Sequence, residues 1–158
     1  MIVHANLLDF VPGPHLRFPL TEDQVLDMIK GFKEGKALHF KYTMQLLLAA
    51  RERNGAKNTV METTVKDNER FTICGDTHGQ LQDLFSIFTI NGTPDHHNRY
   101  LFNGDFVDRG PCGVEVVLTL IAFQLVYPNG CLLNRGNHEE RSQNETGVRP
   151  LNLASTNL

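Results

Sequence analysis

The stretch FTICGDTHGQLQDLF, residues 71–85, sets a short apolar run directly against a carboxylate and an imidazole. Phe71 to Cys74 reads as a strand, Gly75 interrupts it, and Asp76 and His78 follow. From Gln80 to Ile90 the apolar residues Leu81, Leu84, Phe85 and Phe88 recur at helical spacing. The same grammar appears again downstream. Tyr100 to Asn103 is strand-like, GDFVDRG (104–110) follows, and Gly113 to Tyr127 is helical through Val114, Leu118, Ile121 and Leu125. Cys131 to Asn134 is a third strand-like run, leading into RGNHE (135–139). Strand, helix, strand, helix, strand predicts two βαβ units and a parallel sheet, so the fold class is α/β. Strands lying side by side in chain order, with right-handed crossovers, put both helices on one face of the sheet. The other face then wants cover, and an open apolar face on the order of several hundred Å² is expected there.

Upstream, LTEDQV (20–25) has the signs of a helix start: Thr21 to cap, Gln24 to complete the box, and Leu20 to staple onto Val25. Val25, Met28, Ile29 and Phe32 follow at helical spacing, and Gly35 is the stop. A second helix is expected from Ala37 to Arg53 with Leu38, Tyr42, Leu46 and Ala49 on one stripe, ended by Asn54-Gly55. Residues 55–69 are polar, with a short strand expected near Met61 to Val65. The organisation read from the sequence is therefore an extended lead-in (1–20), a helix pair (21–54), an α/β domain (55–140) and an unpatterned tail (141–158).

The totals exclude several classes. A chain of 158 residues with 41% apolar and 21% charged residues and net charge −3 has the composition of one globular domain. There is no basic excess for a nucleic-acid surface. Cys74, Cys112 and Cys131 form an odd set without paired spacing, the pattern of reduced thiols in a cytoplasmic or nuclear protein. The opening MIVHANLLDF lacks a basic n-region, and Val114 to Tyr127, the longest apolar stretch, is too short for a membrane span. Without a secretion signal, Asn91-Gly92-Thr93 and Asn144-Glu145-Thr146 are not read as glycosylation sites.

Ligands of open α/β sheets gather at the carboxyl ends of the strands. After the first strand come Asp76 and His78, after the second Asp105, Asp108 and Arg109, and after the third Arg135, Asn137, His138 and Glu139. Alternate residues of an extended segment point the same way, so Asp76 and His78 can share one cation. Carboxylate with imidazole suits Mn, Fe or Zn better than calcium. Asp105 has two oxygens and can bridge to a second ion, to which Asn137 offers a carbonyl oxygen. Gly75, Gly104 and Gly136 permit tight turns and close backbone approach. Arg135 and Glu139 are assigned to scaffolding, through an ion pair. His96-His97 read as part of a surface loop, and His4, His15 and His39 carry no expectation.

The three ordered blocks GDTHGQ, GDFVDRG and RGNHE resemble the signature of the metal-dependent serine/threonine phosphoprotein phosphatases, within the calcineurin-like metallophosphoesterases. FNGDFVDRG and LNRGNHE bring the resemblance nearest to the branches carrying tetratricopeptide repeats or EF-hands, over roughly residues 36–140. The resemblance implies two divalent metal ions (Mn, Fe or Zn). Asp76, His78 and Asp105 would hold the first, and Asp105 and Asn137 the second. A hydroxide between them would attack phosphorus in line. It also implies that Arg109 clamps phosphate oxygens, that His138 protonates the leaving serine or threonine oxygen, and that Asp108 orients His138. The fold implied is the first half of a two-sheet metallophosphatase sandwich, and the partners are phosphoserine and phosphothreonine proteins, with regulators unspecified.

The resemblance stops near Glu140, where the family pattern would continue to Tyr-Gly-Phe, two further histidines for the second metal and another arginine. The chain reads ERSQNETGVRPLNLASTNL instead, without a histidine after His138. The expectation is an incomplete second metal site and weak or absent turnover, as in a splice variant, frameshift or truncated gene model. Two alternatives stand beside the phosphatase: a non-catalytic product that binds metal or partners of the intact enzyme, and a calcineurin-like hydrolase of nucleotide phosphoesters.

Overall fold

Alternation in the strands and 3.6-residue periodicity in the helices produce the expected layer. The computed structural model describes residues 13–143. Expectations for residues 1–12 and 144–158 lie outside the described residues. The chain divides into two compact units, Met1–Met61 and Glu62–Leu158.

In the second unit, β1 (Arg70–Cys74), α3 (Leu81–Asn91), β2 (Asn98–Phe102), α4 (Gly113–Val126) and β3 (Cys131–Leu133) follow one another, after α1 and α2 of the first. The strands lie in the order β1-β2-β3, all parallel. Thr72, Tyr100 and Cys131 lie in register across the three strands, as do Cys74, Phe102 and Leu133. These residues form the face toward the helices: Tyr100, Phe102 and Cys131 are fully buried. Phe88 of α3 meets Tyr100, Phe102 and Phe123 edge-on at 5.4–6.4 Å, geometry that aligns ring edges with ring faces. Leu84 from α3 and Val116, Leu120 and Phe123 from α4 complete this core. Tyr100 has its hydroxyl satisfied within it, donating to the Gly92 carbonyl at 2.5 Å, and burial pushes its pKa up. The Gln80–Ile90 and Gly113–Tyr127 readings thus hold to within one residue.

The opposite face carries Ile73, Leu101 and Leu132 in register across the three strands. Ile73 is 68% exposed and Leu101 and Leu132 are half-buried, so the stripe is most open at β1. Its amino-terminal end is covered by a segment for which the sequence predicted a strand, Met61 to Val65. No strand forms there. The segment is instead bonded by the neighbouring Arg99, whose guanidinium takes two of its oxygens as acceptors. Its Nη1 donates to Thr64 O at 2.7 Å and to Glu69 Oε2 at 3.0 Å, its Nη2 donates to Thr63 Oγ1, and its Nε donates to Asn129 O at 2.8 Å. The guanidinium lies over the Phe71 ring at 5.4 Å. The segment is held by side-chain demand instead of a ladder.

In the first unit, α1 (Glu22–Lys33) begins at Thr21, whose backbone N–H donates to Gln24 Oε1 at 3.2 Å. Gly35 ends it with φ +73°, and Lys36 N–H reaches back to Gly31 O at 2.9 Å, the six-to-one closure of a left-handed helix stop. α2 (Phe40–Gly55) starts three residues later than the sequence predicts, because His39 acts as the cap through Nδ1, which accepts from Lys41 N–H at 3.1 Å. Tyr42, Leu46 and Ala50 are its buried residues. The lead-in packs against both helices: Pro14 lies against Gly31, and His15 Nδ1 meets the Tyr42 hydroxyl at 2.8 Å.

The Glu69 carboxyl is held below its ordinary range by the hydrogen bond from Arg99, and next by that from the Lys66 N–H. A folded-state pKa below the unfolded one adds stability above the ordinary carboxylate range, and that stability is lost as pH falls through the folded pKa. Glu69→Gln is therefore expected to lower the melting temperature at neutral pH and to flatten its decline between about pH 5 and pH 2. Parallel melting curves against pH for the two chains would contradict this.

Candidate metal and phosphate site

The backbone ladder does not stop at the strand ends. Asn103 N–H donates to Cys74 O at 2.9 Å and Asn134 N–H to Phe102 O at 2.9 Å, each extending the pairing by one residue. Asn134 Nδ2 adds a bond to Asn103 Oδ1 at 3.0 Å. Beyond them the first two loops zip together. Thr77 and His78 N–H both donate to Asp105 O, at 3.1 and 2.8 Å, Gly79 N–H to Phe106 O at 2.8 Å, and Gly110 N–H to His78 O at 2.8 Å.

These bonds hold four non-glycine residues at positive φ: His78 (+38°), Asp105 (+54°), Asp108 (+67°) and Arg109 (+62°). Such conformations cost about 1–3 kcal/mol each and persist only where the surroundings over-determine them. All four lie in loops after β1 and β2, and all four are among the residues singled out from the sequence. The left-handed backbone turns their side chains along directions an ordinary strand extension would not give.

Asp76 and His78 face each other, Asp76 Oδ2 lying 3.6 Å from His78 Nε2. His78 Nδ1–H donates to Val107 O at 2.8 Å, which fixes the tautomer and leaves the Nε2 lone pair as the free ligand. That Nε2 is buried and has no hydrogen-bond partner. An unsatisfied buried polar atom costs about 1–3 kcal/mol, and a cation beside it removes the deficit. His78, Asp105 and His138 each bring one ligand atom within 4.8 Å of the others. Imidazole and carboxylate donors in this number fit a borderline divalent transition ion.

The sequence paired Asp76 with His78 and Asp105. The three-residue grouping found among the described residues has His138 in place of Asp76, whose side chain is 57% exposed. The His78 and His138 rings meet edge to face, centroids 4.8 Å apart. His138 Nδ1–H donates to Asp108 Oδ2 at 2.8 Å, and its backbone N–H donates to Asp105 Oδ1 at 2.9 Å. Asn137, exposed, opens the one-turn 3-10 helix Asn137–Glu139, and Arg109 is exposed on the second loop. His96 and His97 lie in the loop before β2, where Asp95 Oδ1 accepts from the N–H groups of His97 and Asn98.

Sequence reading missed three features. Glu139 forms no ion pair with Arg135 among the described residues; its carboxylate accepts from the backbone N–H groups of Asp105, Phe106 and Gly136. The Val107 carbonyl that orients His78 has no side-chain signature. Of the three glycines expected to allow close approach, Gly75 has open space around its missing Cβ. Gly104 and Gly136 instead meet each other: a Cβ on Gly104 would lie 2.6 Å from Gly136 Cα, and one on Gly136 would lie 2.5 Å from Asp105 N.

A family model described as calcineurin-like phosphoesterase matches residues 69–156, more than half of the chain. The chain belongs to the calcineurin-like phosphoesterases. A second model, the PPP5 TPR repeat region, matches residues 6–62. Serine/threonine-protein phosphatase 5 of Homo sapiens is 48% identical over 145 residues, covering 91% of this chain and 29% of that protein. Serine/threonine-protein phosphatase T of Aspergillus oryzae is 44% identical over 137 residues, 87% of this chain and 29% of its own length. The chain thus spans less than a third of these relatives. A Saccharomyces cerevisiae protein serine/threonine phosphatase with similarity to human PP5 superposes with a TM-score of 0.77 at 33% identity, over 81% of this chain and 42% of that one.

The loop packing separates the glycines experimentally. Gly136→Ala is expected to cost roughly 1–3 kcal/mol by overpacking, or roughly 2–4 °C of melting temperature per kcal/mol. Gly75→Ala is expected to leave the melting temperature unchanged. Thermal melts of the two variants that fall in the opposite order would contradict the assigned contacts.

Proposed function

We propose that this chain carries the metal-ligand and leaving-group half of a phosphoprotein phosphatase centre, directed at phosphoserine and phosphothreonine. The observation that carries the reading is the buried, unpartnered His78 Nε2 facing Asp76 and clustered with Asp105 and His138. The substrate class is drawn from the names of the relatives, which are serine/threonine phosphatases.

Asp76, His78 and Asp105 would hold one divalent ion, Mn, Fe or Zn, and Asp105 with Asn137 would contribute to a second. Bound ions supply neutralisation of phosphate charge and a water of lowered pKa. The remaining chemistry belongs to side chains of this chain. Arg109, exposed on its strained loop, would take two phosphate oxygens with its planar fork. His138 would deliver a proton from Nε2 to the departing serine or threonine oxygen. Asp108 accepts from Nδ1–H, which orients the ring and leaves Nε2 for the proton transfer. The match of residues 6–62 to the repeat-region model supports a protein-interaction segment preceding the centre in the chain.

The nucleotide-hydrolase alternative is separated from this reading by one assay with added manganese. Phosphate release, or inhibition of it, is expected to follow phosphopeptides in preference to nucleoside monophosphates; the reverse order would replace the proposal. Asp76→Asn and His78→Ala are expected to weaken Mn²⁺ binding in equilibrium dialysis, and unaltered binding in both would remove the metal assignment. His138→Asn, measured in a chain with turnover, is expected to lower the rate by about 10²–10⁴ with bound manganese unchanged. Equal loss of metal and rate would make His138 a ligand.

A further inference from the structure

Three backbone N–H groups from two distant segments converge on one carboxylate. Asp105 N–H and Gly136 N–H donate to Glu139 Oε2 at 2.7 and 2.8 Å, and Phe106 N–H donates to Oε1 at 2.7 Å. A carboxylate is the side chain suited to this place. It is acceptor-only, with lone pairs on both oxygens, whereas an amide would turn a donor toward one of the three N–H groups. Bonds to an ionised acceptor are also about twice as strong as neutral ones.

The residue gripped by this clasp is Asp105, which sits at φ +54°. Its N–H goes to Glu139, its carbonyl to Thr77 and His78, and its Oδ1 receives the N–H of His138, the neighbour of Glu139. The clasp therefore sets where the Asp105 carboxylate stands relative to His78 and His138. Gly136 is bound by the same oxygen and lies against Asp105, which leaves no room for a compensating shift of the third loop.

We propose that Glu139 is a positioning residue for divalent-cation binding, acting through Asp105 by holding the second and third loops at fixed separation. The inference rests on the assignment of Asp105 as a metal ligand. Substitutions of groups that orient a ligand typically cost about 10–100-fold in metal affinity, and this is the effect expected here.

The test is calorimetric titration of Mn²⁺ into the full chain and its variants, with circular dichroism confirming that each is folded. Glu139→Gln is expected to weaken Mn²⁺ by about 10–100-fold. Leu120→Val, a destabilising change at a fully buried position two turns into α4, is the control. It is expected to lower the melting temperature and keep affinity within about twofold, as distant sites act independently. Glu139→Asp keeps the charge with a shorter reach and is the second variant should the first not fold; it too is expected to bind more weakly. Wild-type affinity in the folded glutamate variants overturns the proposal while leaving the metal site intact. Equal weakening by Leu120→Val makes Glu139 a stability residue only and overturns it as well. Absence of Mn²⁺ binding by the unaltered chain, or binding indifferent to Asp105→Asn, overturns the metal assignment and this inference with it.

Discussion

Everything at the rim of the sheet turns on Asp105, whose main chain and side chain bond to both neighbouring loops. Its carbonyl accepts from the first loop, and its N–H and Oδ1 engage Glu139 and His138 of the third. A parallel sheet brings three loops to one edge but leaves their relative heights undetermined. The hydrogen bonds around Asp105 set those heights. Two glycine backbones, at 104 and 136, are needed for the loops to approach that closely.

This arrangement keeps four residues in left-handed conformations, each of which an isolated loop would relax. The helix-facing side of the sheet provides the rigidity. Phe88, Tyr100, Phe102 and Phe123 pack as one aromatic cluster beneath the loops, and no loop can shift without disturbing the strand that carries it. On the other face, Arg99 fastens a segment without secondary structure to the sheet by satisfying its own donors on that segment's oxygens. The stripe of Ile73, Leu101 and Leu132 lies beyond its reach and is most open at β1.

The strands, the helices and their parallel order were legible because each depends on short-range periodicity. Ends moved by one to three residues where a local cap decided the boundary, as His39 does for α2. The polar residues gathered at the carboxyl edge of the sheet were legible because three polar blocks follow three strands. Less legible were the groups that orient them. The Val107 carbonyl, which directs His78 Nε2, belongs to a residue whose side chain plays no part. Glu139, read as half of an ion pair, turned out to bind backbone N–H groups, which any sequence supplies and no motif marks. Where a strand was expected near Met61, Arg99, 35 residues from Thr64, binds the segment's oxygens instead, a long-range contact that local pattern does not mark.

By itself the sequence determined the α/β layer, the parallel order and the set of polar residues at its carboxyl edge, since alternation and helical spacing are properties of neighbouring positions. The tertiary structure decided which of those polar groups meet. Ligand atoms within 4.8 Å of one another on His78, Asp105 and His138 come from segments up to 60 residues apart. Their separation depends on backbone hydrogen bonds and glycine contacts between loops, and these exist only once the sheet has brought the loops together.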